Sequence, residues 1–202
     1  MLKIYHYEDK TYESALEIAL RELNKTEEEL LIKVEETQAK LFKSKKCDLN
    51  IIIKEDISRE IKNFIKELGN KMNLEIQIEV TEKDNIYSVL LVSDNNAILI
   101  GKDGKTLNSI QLLLKQVLNK NNQFNIKVNV DVSNYKSKKI HSFESEIRKI
   151  AKEVLKTKVE AKLDPMNSYE RRIVHTIVSE FEELETESIG EEPQRYVVIK
   201  NK

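Results

Sequence analysis

A G-x-x-G turn in the middle of the chain constrains the fold more than any other feature. Gly101 and Gly104, two of the four glycines, separate the apolar run 97–100 from a long amphipathic segment. Glycine tolerates positive φ and the close approach of another backbone because it has no Cβ. The helix predicted after the turn offers unpaired N–H groups and a positive dipole end, and both favour a phosphate group. The candidate binding residues are therefore Gly101, Lys102, Asp103, Gly104 and Lys105.

Two other interpretations of these residues have to be considered. The triplet Gly104-Lys105-Thr106 also matches the end of the P-loop pattern G-x-x-x-x-G-K-[ST]. That pattern requires a glycine where this chain has Leu99, and flexible residues where this chain has an apolar run. The phosphate cradle of an NTPase is therefore excluded. A glycine-containing entry to the helix that binds no ligand stays open, so the surrounding elements must decide.

Composition narrows the class of protein. Of the 202 residues, 40% are hydrophobic and 34% are charged, as in an ordinary soluble protein, and no apolar run reaches the ~18 to 20 residues that span a bilayer. The first residues have no signal-peptide pattern, which predicts a cytoplasmic protein. The single Cys47 excludes an intrachain disulfide and a zinc-binding thiol cluster. The scattered His6, His141 and His175 form no metal-binding or nucleophilic pattern, so we expect no metal, no cofactor, no small-molecule substrate and no enzymatic activity.

The charge distribution is uneven although the formal net charge is only −1. Residues 136–162 carry nine cations and four anions, whereas residues 179–192 carry seven carboxylates and no cation. Proteins that bind nucleic acids without sequence preference are usually basic. Any contact with RNA should therefore use local basic patches, and the acidic tract should face away from the RNA.

The segment 1–54 predicts a small β-α-β-β domain. Thr11 is positioned to cap a helix whose apolar residues follow helical spacing. A basic stretch, 40–46, contains Leu41 and Phe42 and is either a solvated hairpin loop or a contact with nucleic acid or a partner. The predicted strands are 3–7, 30–34 and 49–53.

The segment 55–133 predicts the order α-β-β-α-(G-x-x-G)-α-β, which is that of a type II KH domain. A KH domain clamps about four nucleotides of a single strand along a groove beside this turn. The groove walls are expected to include Ile98, Ile100 and Leu107, although each could also belong to the core. Gly69 is predicted to end the first helix as a C-cap.

The segment 134–202 predicts a long helix that ends at Asp164-Pro165, a second helix and a final strand near 196–199. Arg171 and His175 are four residues apart and therefore lie on the same face of the second helix. Arginine offers a forked donor for phosphate, and histidine offers a ring that stacks or donates a hydrogen bond. A structural histidine is the alternative. On another side of the long helix lie three lysines together: Lys149, Lys152 and Lys156.

Taken together, these segments resemble the Jag family, also called KhpB or SpoIIIJ-associated proteins, over essentially the whole chain. That family joins a Jag domain, a type II KH domain and an R-x-x-x-H domain, which here fall at 1–54, 55–133 and 134–202. The resemblance implies an α+β fold of three small domains in tandem. The motifs that carry it are Gly101-Lys102-Asp103-Gly104, Pro165-Met166-Asn167-x-Tyr169-Glu170-Arg171-Arg172-Ile173-Val174-His175 and Ser188-x-Gly190-Glu191-Glu192-Pro193-x-Arg195.

The resemblance implies a bacterial protein that binds single-stranded RNA, with single-stranded DNA as an open alternative. It implies an RNA chaperone or post-transcriptional regulator that affects the cell wall and cell length, works with a small single-KH partner similar to KhpA, and is linked to a membrane-protein insertase. The second contact would use Arg171, His175 and Arg195. A protein-interaction adaptor, with incidental RNA binding, is the competing hypothesis.

Two departures from the family pattern are visible. The Jag-domain loop usually contains a glycine-rich motif, whereas residues 39–44 contain no glycine, which puts a function of that loop in doubt. The third domain begins with Lys136, Lys138 and Lys139, where the family often has arginines. Lysine keeps the charge but loses the bidentate fork, so phosphate contacts there should be less specific in geometry.

Overall fold

The computed structural model describes residues 2–37, 46–120 and 124–202, which form an α+β fold as predicted. Its described strands form three separate three-stranded sheets. The chain divides into two compact units, Met1–Asn134 and Tyr135–Lys202. Most of the basic stretch 40–46, including Leu41 and Phe42, lies outside the described residues.

The first sheet belongs to the first unit and has one helix packed on it. Strand β3 lies between the other two and pairs antiparallel with both, in the order β1-β3-β2. The side chain of Thr11 accepts a hydrogen bond from the Ser14 N–H at 3.2 Å, which confirms the predicted helix cap. The elements are β1 Tyr5–Asp9, α1 Tyr12–Leu23, β2 Leu30–Thr37 and β3 Lys46–Ile53. The buried core residues of this layer are Ala15, Ala19, Leu30, Cys47, Leu49 and Ile51.

The second sheet carries the G-x-x-G turn. Strands β4 and β5 are antiparallel, and β5 pairs in parallel with β6, so the sheet order is β4-β5-β6. Parallel neighbours need a crossover connection, and here that connection contains α3, the turn and α4. The order α-β-β-α-α-β is the one predicted for 55–133. The elements are α2 Lys54–Met72, β4 Ile76–Lys83, β5 Ile86–Ser93, α3 Asn96–Ile100, α4 Lys105–Asn119 and β6 Lys127–Val132.

Gly69 is not the C-cap of α2, and that prediction is wrong. The helix continues to Met72, and Asn73 adopts the left-handed conformation that ends it, with φ 53° and ψ 44°. Asparagine is one of the few non-glycine residues that adopt this conformation readily. Gly69 is instead buried within α2, where an added Cβ would lie 3.0 Å from the Leu74 carbonyl oxygen and from Ile76 Cδ1. Its role is therefore to let the chain after the helix pack closely.

The junction between β3 and α2 contains no connecting residue, because the strand ends at Ile53 and the helix begins at Lys54. Lys54 Nζ lies 3.4 Å from a carboxylate oxygen of Glu82 on β4. Lys25 Nζ lies 3.3 Å from Glu55, the second residue of α2. Two ion pairs therefore brace the junction.

The second unit combines two helices with an antiparallel sheet in the order β7-β9-β8. Strand β8 lies within the acidic tract 179–192, where no strand was predicted. The prediction that the long helix ends at Asp164-Pro165 is also wrong, because the helix ends at Thr157 and a short strand, Ala161–Lys162, follows it. The elements are α5 Tyr135–Thr157, β7 Ala161–Lys162, α6 Ser168–Val178, β8 Leu184–Ile189 and β9 Tyr196–Asn201. The buried core consists of Ile147, Ala151, Val154, Val174, Ile177, Val178, Leu184, Val197 and Ile199. Among the helices that the structure describes, none has the length and apolar character needed to cross a membrane.

Candidate nucleic-acid interface

The G-x-x-G turn joins α3 to α4 through three residues with positive φ. Gly101 has φ 70° and ψ −179°, and Gly104 has φ 84° and ψ 13°. Between them Asp103 is left-handed, with φ 56° and ψ 18°. The first glycine is in a region of the Ramachandran map that only glycine occupies readily. The turn therefore has this shape because of its two glycines.

Gly101 is also required because Thr106 lies against it. A Cβ on Gly101 would lie 2.1 Å from Thr106 Oγ1 and 2.8 Å from Thr106 Cβ, which are impossible distances. The Gly101 N–H donates to the Ala97 carbonyl oxygen at 2.8 Å, and the Gly104 N–H donates to the Gly101 carbonyl oxygen at 3.3 Å. The turn is folded tightly back on the first turn of α4, so any side chain at Gly101 would open it.

The cations of the turn are accessible. Lys102 and Lys105 are exposed, and neither forms an ion pair within residues 2–37, 46–120 and 124–202. Asp103, between them, is also exposed. The turn thus offers two exposed ammonium groups, whereas Gly104 itself is buried and Gly101 is half-buried against Thr106.

The apolar residues predicted as groove walls have different positions. Ile98 is 45% exposed beside the turn, and Ile100 is half-buried. Leu107 is 1% exposed and belongs to the core. Ile98 is thus the predicted wall residue with the greatest exposure to a ligand.

The start of α3 is fixed to the end of the parallel strand pair. The Ser93 N–H donates to Asn96 Oδ1 at 2.8 Å, and Asn96 Nδ2 donates to Ser133 Oγ at 2.9 Å. The Ser133 N–H donates to the Leu91 carbonyl oxygen at 3.0 Å. One side chain therefore joins the ends of β5 and β6 at the helix that precedes the turn.

In the second unit, a capping box defines where α6 begins. Asn167 Oδ1 accepts hydrogen bonds from the Tyr169 and Glu170 N–H groups, both at 3.0 Å. In return, Glu170 accepts from the Asn167 N–H at 3.1 Å. Such reciprocal bonds satisfy backbone donors that the helix leaves free at its start. They fix the first turn of α6, from which Arg171 projects.

Arg171 is buried, and its guanidinium is held at three points. Nη1 donates to the Met166 carbonyl oxygen at 2.8 Å, and Nη2 donates to Ser168 Oγ at 3.1 Å and to Glu192 Oε1 at 3.0 Å. Its side chain is only 9% exposed, whereas the Glu192 side chain is 64% exposed. The hydrogen bonds from Arg171 and from Ser168 lower the pKa of Glu192. Arg171 therefore holds the start of α6 to the turn before β9.

His175 connects α6 to β8. Its Nδ1 lies 2.6 Å from Thr186 Oγ1, and its Nε2 lies 2.9 Å from Ser188 Oγ. Both partners are hydroxyls, which serve either tautomer because they both donate and accept. Burial and the nearby charges of Arg171 and Arg195 lower the pKa of His175. The ring is therefore favoured in its neutral form.

Arg195 is the least engaged of the three predicted residues. Its backbone is fixed, since its carbonyl oxygen accepts a hydrogen bond from the Met166 N–H at 3.1 Å. Its side chain is half-buried, and its Nε is buried without a hydrogen-bond partner in the described part of the chain. Its charge acts on both His175 and Glu192. This cluster therefore contains one arginine that is held and one whose Nε donor is unused.

The structure brings Arg171, His175 and Arg195 together with several partners that were not predicted from the sequence. Glu192 belongs to the acidic tract that was expected to face away from RNA, yet it contacts Arg171 directly. The hydroxyls of Ser168, Thr186 and Ser188 complete the cluster. Three or more histidine, cysteine, aspartate or glutamate side chains arranged to hold a metal ion do not occur among the described residues.

Two family models match this chain. Residues 58–132 match the KH domain of KhpA/KhpB, and residues 142–201 match the domain family that takes its name from the R-x-x-x-H motif. The first match contains the G-x-x-G turn, and the second contains Arg171, His175 and Arg195. Both parts of the candidate interface therefore lie within recognised domains.

The chain is similar over nearly its whole length to curated proteins. It is 35% identical to the RNA-binding protein KhpB of Clostridium symbiosum over 195 residues, which are 94% of this chain and 88% of that protein. It is 29% identical to the RNA-binding protein KhpB of Bacillus subtilis strain 168 over 199 residues, 96% of each chain. With the protein of the same name from Streptococcus pneumoniae strain D39 it shares 29% identity over 147 residues, which are 44% of that longer protein. The chain therefore belongs to the Jag family, whose curated members are named RNA-binding protein KhpB.

Proposed function

We propose that this chain binds single-stranded RNA at two sites and performs no chemistry on it. The first site is the G-x-x-G turn, formed by Gly101, Lys102, Asp103, Gly104 and Lys105. The second is the cluster of Arg171, His175 and Arg195. The observation that carries the proposal is a pair of exposed lysines, without ion pairs among the described residues, on a tight glycine turn at the start of α4. The names of the relatives support RNA as the ligand.

Within the second site we propose that the three residues act differently. Arg195 contacts a phosphate, because its half-buried side chain carries a charge that forms no ion pair among the described residues. Arg171 positions the turn that carries Arg195, because its guanidinium is buried and its three hydrogen bonds join the start of α6 to that turn. His175, in its neutral form, orients the hydroxyls of Thr186 and Ser188 on β8, and its ring lies beside them.

Two weak sites on one chain strengthen binding through effective concentration when one strand reaches both. We propose the division into domains 1–54, 55–133 and 134–202, with one RNA site in each of the last two. Roughly four phosphate contacts to a single strand would give a log–log salt slope near −3. Single-stranded DNA is the natural competitor for such backbone contacts.

The test is fluorescence anisotropy with a labelled RNA of mixed sequence at fixed moderate salt. The variant Lys102→Gln/Lys105→Gln removes two charges from the turn but keeps both glycines. Its matched control is Lys62→Gln/Lys66→Gln, which removes two charges from exposed positions on α2 of the same unit. We expect weaker binding by the first variant only. Equal affinity of both variants would place the RNA away from the turn, and no binding by the wild type would reject the function.

We further propose that the chain acts in the cytoplasm as an RNA chaperone or post-transcriptional regulator that affects the cell wall and cell length. We propose that it acts with a small single-KH partner similar to KhpA. An annealing assay with two complementary labelled RNAs tests the chaperone activity, since a chaperone speeds duplex formation at protein concentrations that saturate the strands. A chain that binds both strands without changing the annealing rate would lack this activity.

An adaptor that binds other proteins is the second candidate, and the exposed side of α4 favours it. Leu112 is 57% exposed, Leu113 is 47% exposed and Val117 is 36% exposed. Apolar side chains grouped on a helix commonly mark a contact with another protein. For this second candidate function, the proposed partner is a membrane-protein insertase. Pull-down from a lysate with and without RNase separates the two functions, because an adaptor keeps its partners after the RNA is destroyed.

A further inference from the structure

The helix α5 has a strongly basic side opposite its buried side. Ile147 and Ala151 are buried in the core, and each lies two residues from Lys149, about 200° around the helix axis. Lys152 and Lys156 follow Lys149 by three and seven residues and therefore lie on the same side. These lysines are exposed, as expected for the side that faces away from the core.

The basic side continues toward the start of the helix. Lys138 precedes Lys149 by 11 residues, which is about three turns, and is also exposed. Ser142 and Ser145 lie between them on the same side and are exposed. We call Lys138, Lys149, Lys152 and Lys156 the lysine face.

No lysine of this face has a carboxylate partner within the described residues, unlike Lys158, Lys162 and Lys200 of the same unit. Two acidic residues of the same helix, Glu146 and Glu153, are each one turn from Lys149, and Glu153 is also one turn from Lys156, but neither forms an ion pair with these lysines in the described structure. Arg148, beside the face, is paired with Glu180. The lysines that do pair with carboxylates include Lys25, Lys54, Lys158, Lys162 and Lys200.

We propose that the lysine face binds the phosphodiester backbone of RNA, as a contact separate from the Arg171, His175 and Arg195 cluster. This inference rests on the proposed function and extends it. The surface around these lysines contains serines and Glu153 and no apolar side chain, so it lacks the buried contacts that a protein partner would need. Lysine ammonium groups bind phosphates as point charges, without a fixed geometry. The surface therefore suits a chain of regularly spaced phosphates, whatever the sequence of the bases.

The length of the face fits a polymer better than a single anion. Lys138 and Lys156 are separated by about 27 Å along the helix axis, at 1.5 Å per residue. Lys149 and Lys156 are separated by about 10 Å, close to the Debye length at physiological salt, so their charges act together on one strand. Mutual repulsion of these lysines is relieved when phosphates lie between them. A strand laid along α5 would place several phosphates within reach.

The experiment compares two triple variants of the full chain that change the net charge equally. Lys149→Gln/Lys152→Gln/Lys156→Gln neutralises the lysine face. Lys158→Gln/Lys162→Gln/Lys200→Gln neutralises three lysines of the same unit that have carboxylate partners. Circular dichroism and thermal unfolding test whether both variants fold. A third variant, Lys149→Arg/Lys152→Arg/Lys156→Arg, keeps the charge of the face. The probe is a labelled single-stranded RNA of mixed sequence, long enough to exceed the helix.

We expect the lysine-face variant to bind roughly 10- to 100-fold more weakly near 0.1 M salt, because three phosphate contacts to a single strand contribute about 2 to the log–log salt slope. Its salt slope should fall by about 2, and the arginine variant should recover most of the affinity. The control triple should stay near the wild type.

Equal affinities of the two glutamine variants would overturn the inference. If that result came with loss of binding in Lys102→Gln/Lys105→Gln, the proposed function would stand without this surface. Absence of RNA binding by the wild type would reject both. A parallel titration with vesicles containing anionic lipid tests the other polyanion, and loss of vesicle binding without loss of RNA binding would also overturn the inference.

Discussion

The guanidinium of Arg171 donates to the carboxylate of Glu192 at 3.0 Å across 21 residues of sequence. Ser168 donates to the same carboxylate oxygen at 3.1 Å. The first turn of α6 is thereby attached to the turn that precedes β9, and Arg195 projects from the end of that turn. The buried arginine of the motif thus shapes the site, while the second arginine is the one with a donor to spare.

Replacing Arg171 by lysine should destabilise the second unit by about 2–3 kcal/mol. A single ammonium cannot reproduce hydrogen bonds to Met166, Ser168 and Glu192, and a buried donor or acceptor left without a partner is costly. Urea unfolding measures the change, and hydrogen exchange shows whether α6 and β9 lose protection. An unchanged free energy of unfolding with strongly weakened RNA binding would instead make Arg171 a direct RNA contact.

The contribution of His175 to stability should decrease as the pH falls below about 6.5, the ordinary pKa of histidine. Burial and two arginines lower the pKa of His175 in the folded chain, so the unfolded chain takes up a proton first as the pH falls. The contribution is complete above the unfolded pKa and is lost as the pH falls through the folded pKa. Urea unfolding of the wild type and His175→Gln at pH 7.5 and 5.5 measures it. The free energy of unfolding of the wild type should exceed that of the variant by more at pH 7.5 than at pH 5.5. A larger excess at pH 5.5 would contradict the predicted direction.

Gly101→Ala should destabilise the first unit by at least about 1–3 kcal/mol, because the φ of 70° with ψ near 180° is accessible almost only to glycine. The contact of the new Cβ with Thr106 adds to this cost. Lys102→Ala, at an exposed neighbouring position, is the control and should change stability by less than about 0.5 kcal/mol. Denaturant unfolding of both variants is the measurement, and equal midpoints would show that the turn relaxes freely.

Gly69→Ala should lower stability by about 1–2 kcal/mol although alanine is the better helix former. The added Cβ would crowd the Leu74 carbonyl oxygen and Ile76 Cδ1, both at 3.0 Å, and overpacking of this kind outweighs the gain in helix propensity. Asn63→Ala, at an exposed position of the same helix, should raise the melting temperature slightly. A rise for Gly69→Ala as well would mean that β4 moves aside at little cost.

Local patterns predicted the order of the elements well up to β6, but missed β7 and β8 in the second unit. Strict alternation in 76–80 and 126–132 identified two strands, and Thr11 marked the start of α1. These signals depend only on neighbours in sequence. The end of α2 was misplaced because two residues, Gly69 and Asn73, were both able to end a helix, and only the packing of the following strand decides between them.

The parts that the sequence did not predict depend on contacts between distant residues. Strand β8 has four glutamates or hydroxyl residues among its six residues, so no apolar alternation identifies it. Its pairing with β9 and the hydrogen bonds of Thr186 and Ser188 with His175 become visible only in the folded chain. The same holds for Arg171, whose spacing to His175 indicated a shared helix face but not that the guanidinium would be buried.

The direct passage from Ile53 into Lys54 has a consequence for how this chain tolerates change during evolution. One residue inserted at that point would turn the buried side of α2 by about 100° relative to the strand that precedes it. The ion pairs of Lys54 with Glu82 and of Glu55 with Lys25 would be displaced at the same time. Exchange of the first 53 residues by recombination would therefore succeed only between genes that keep this junction at the same length.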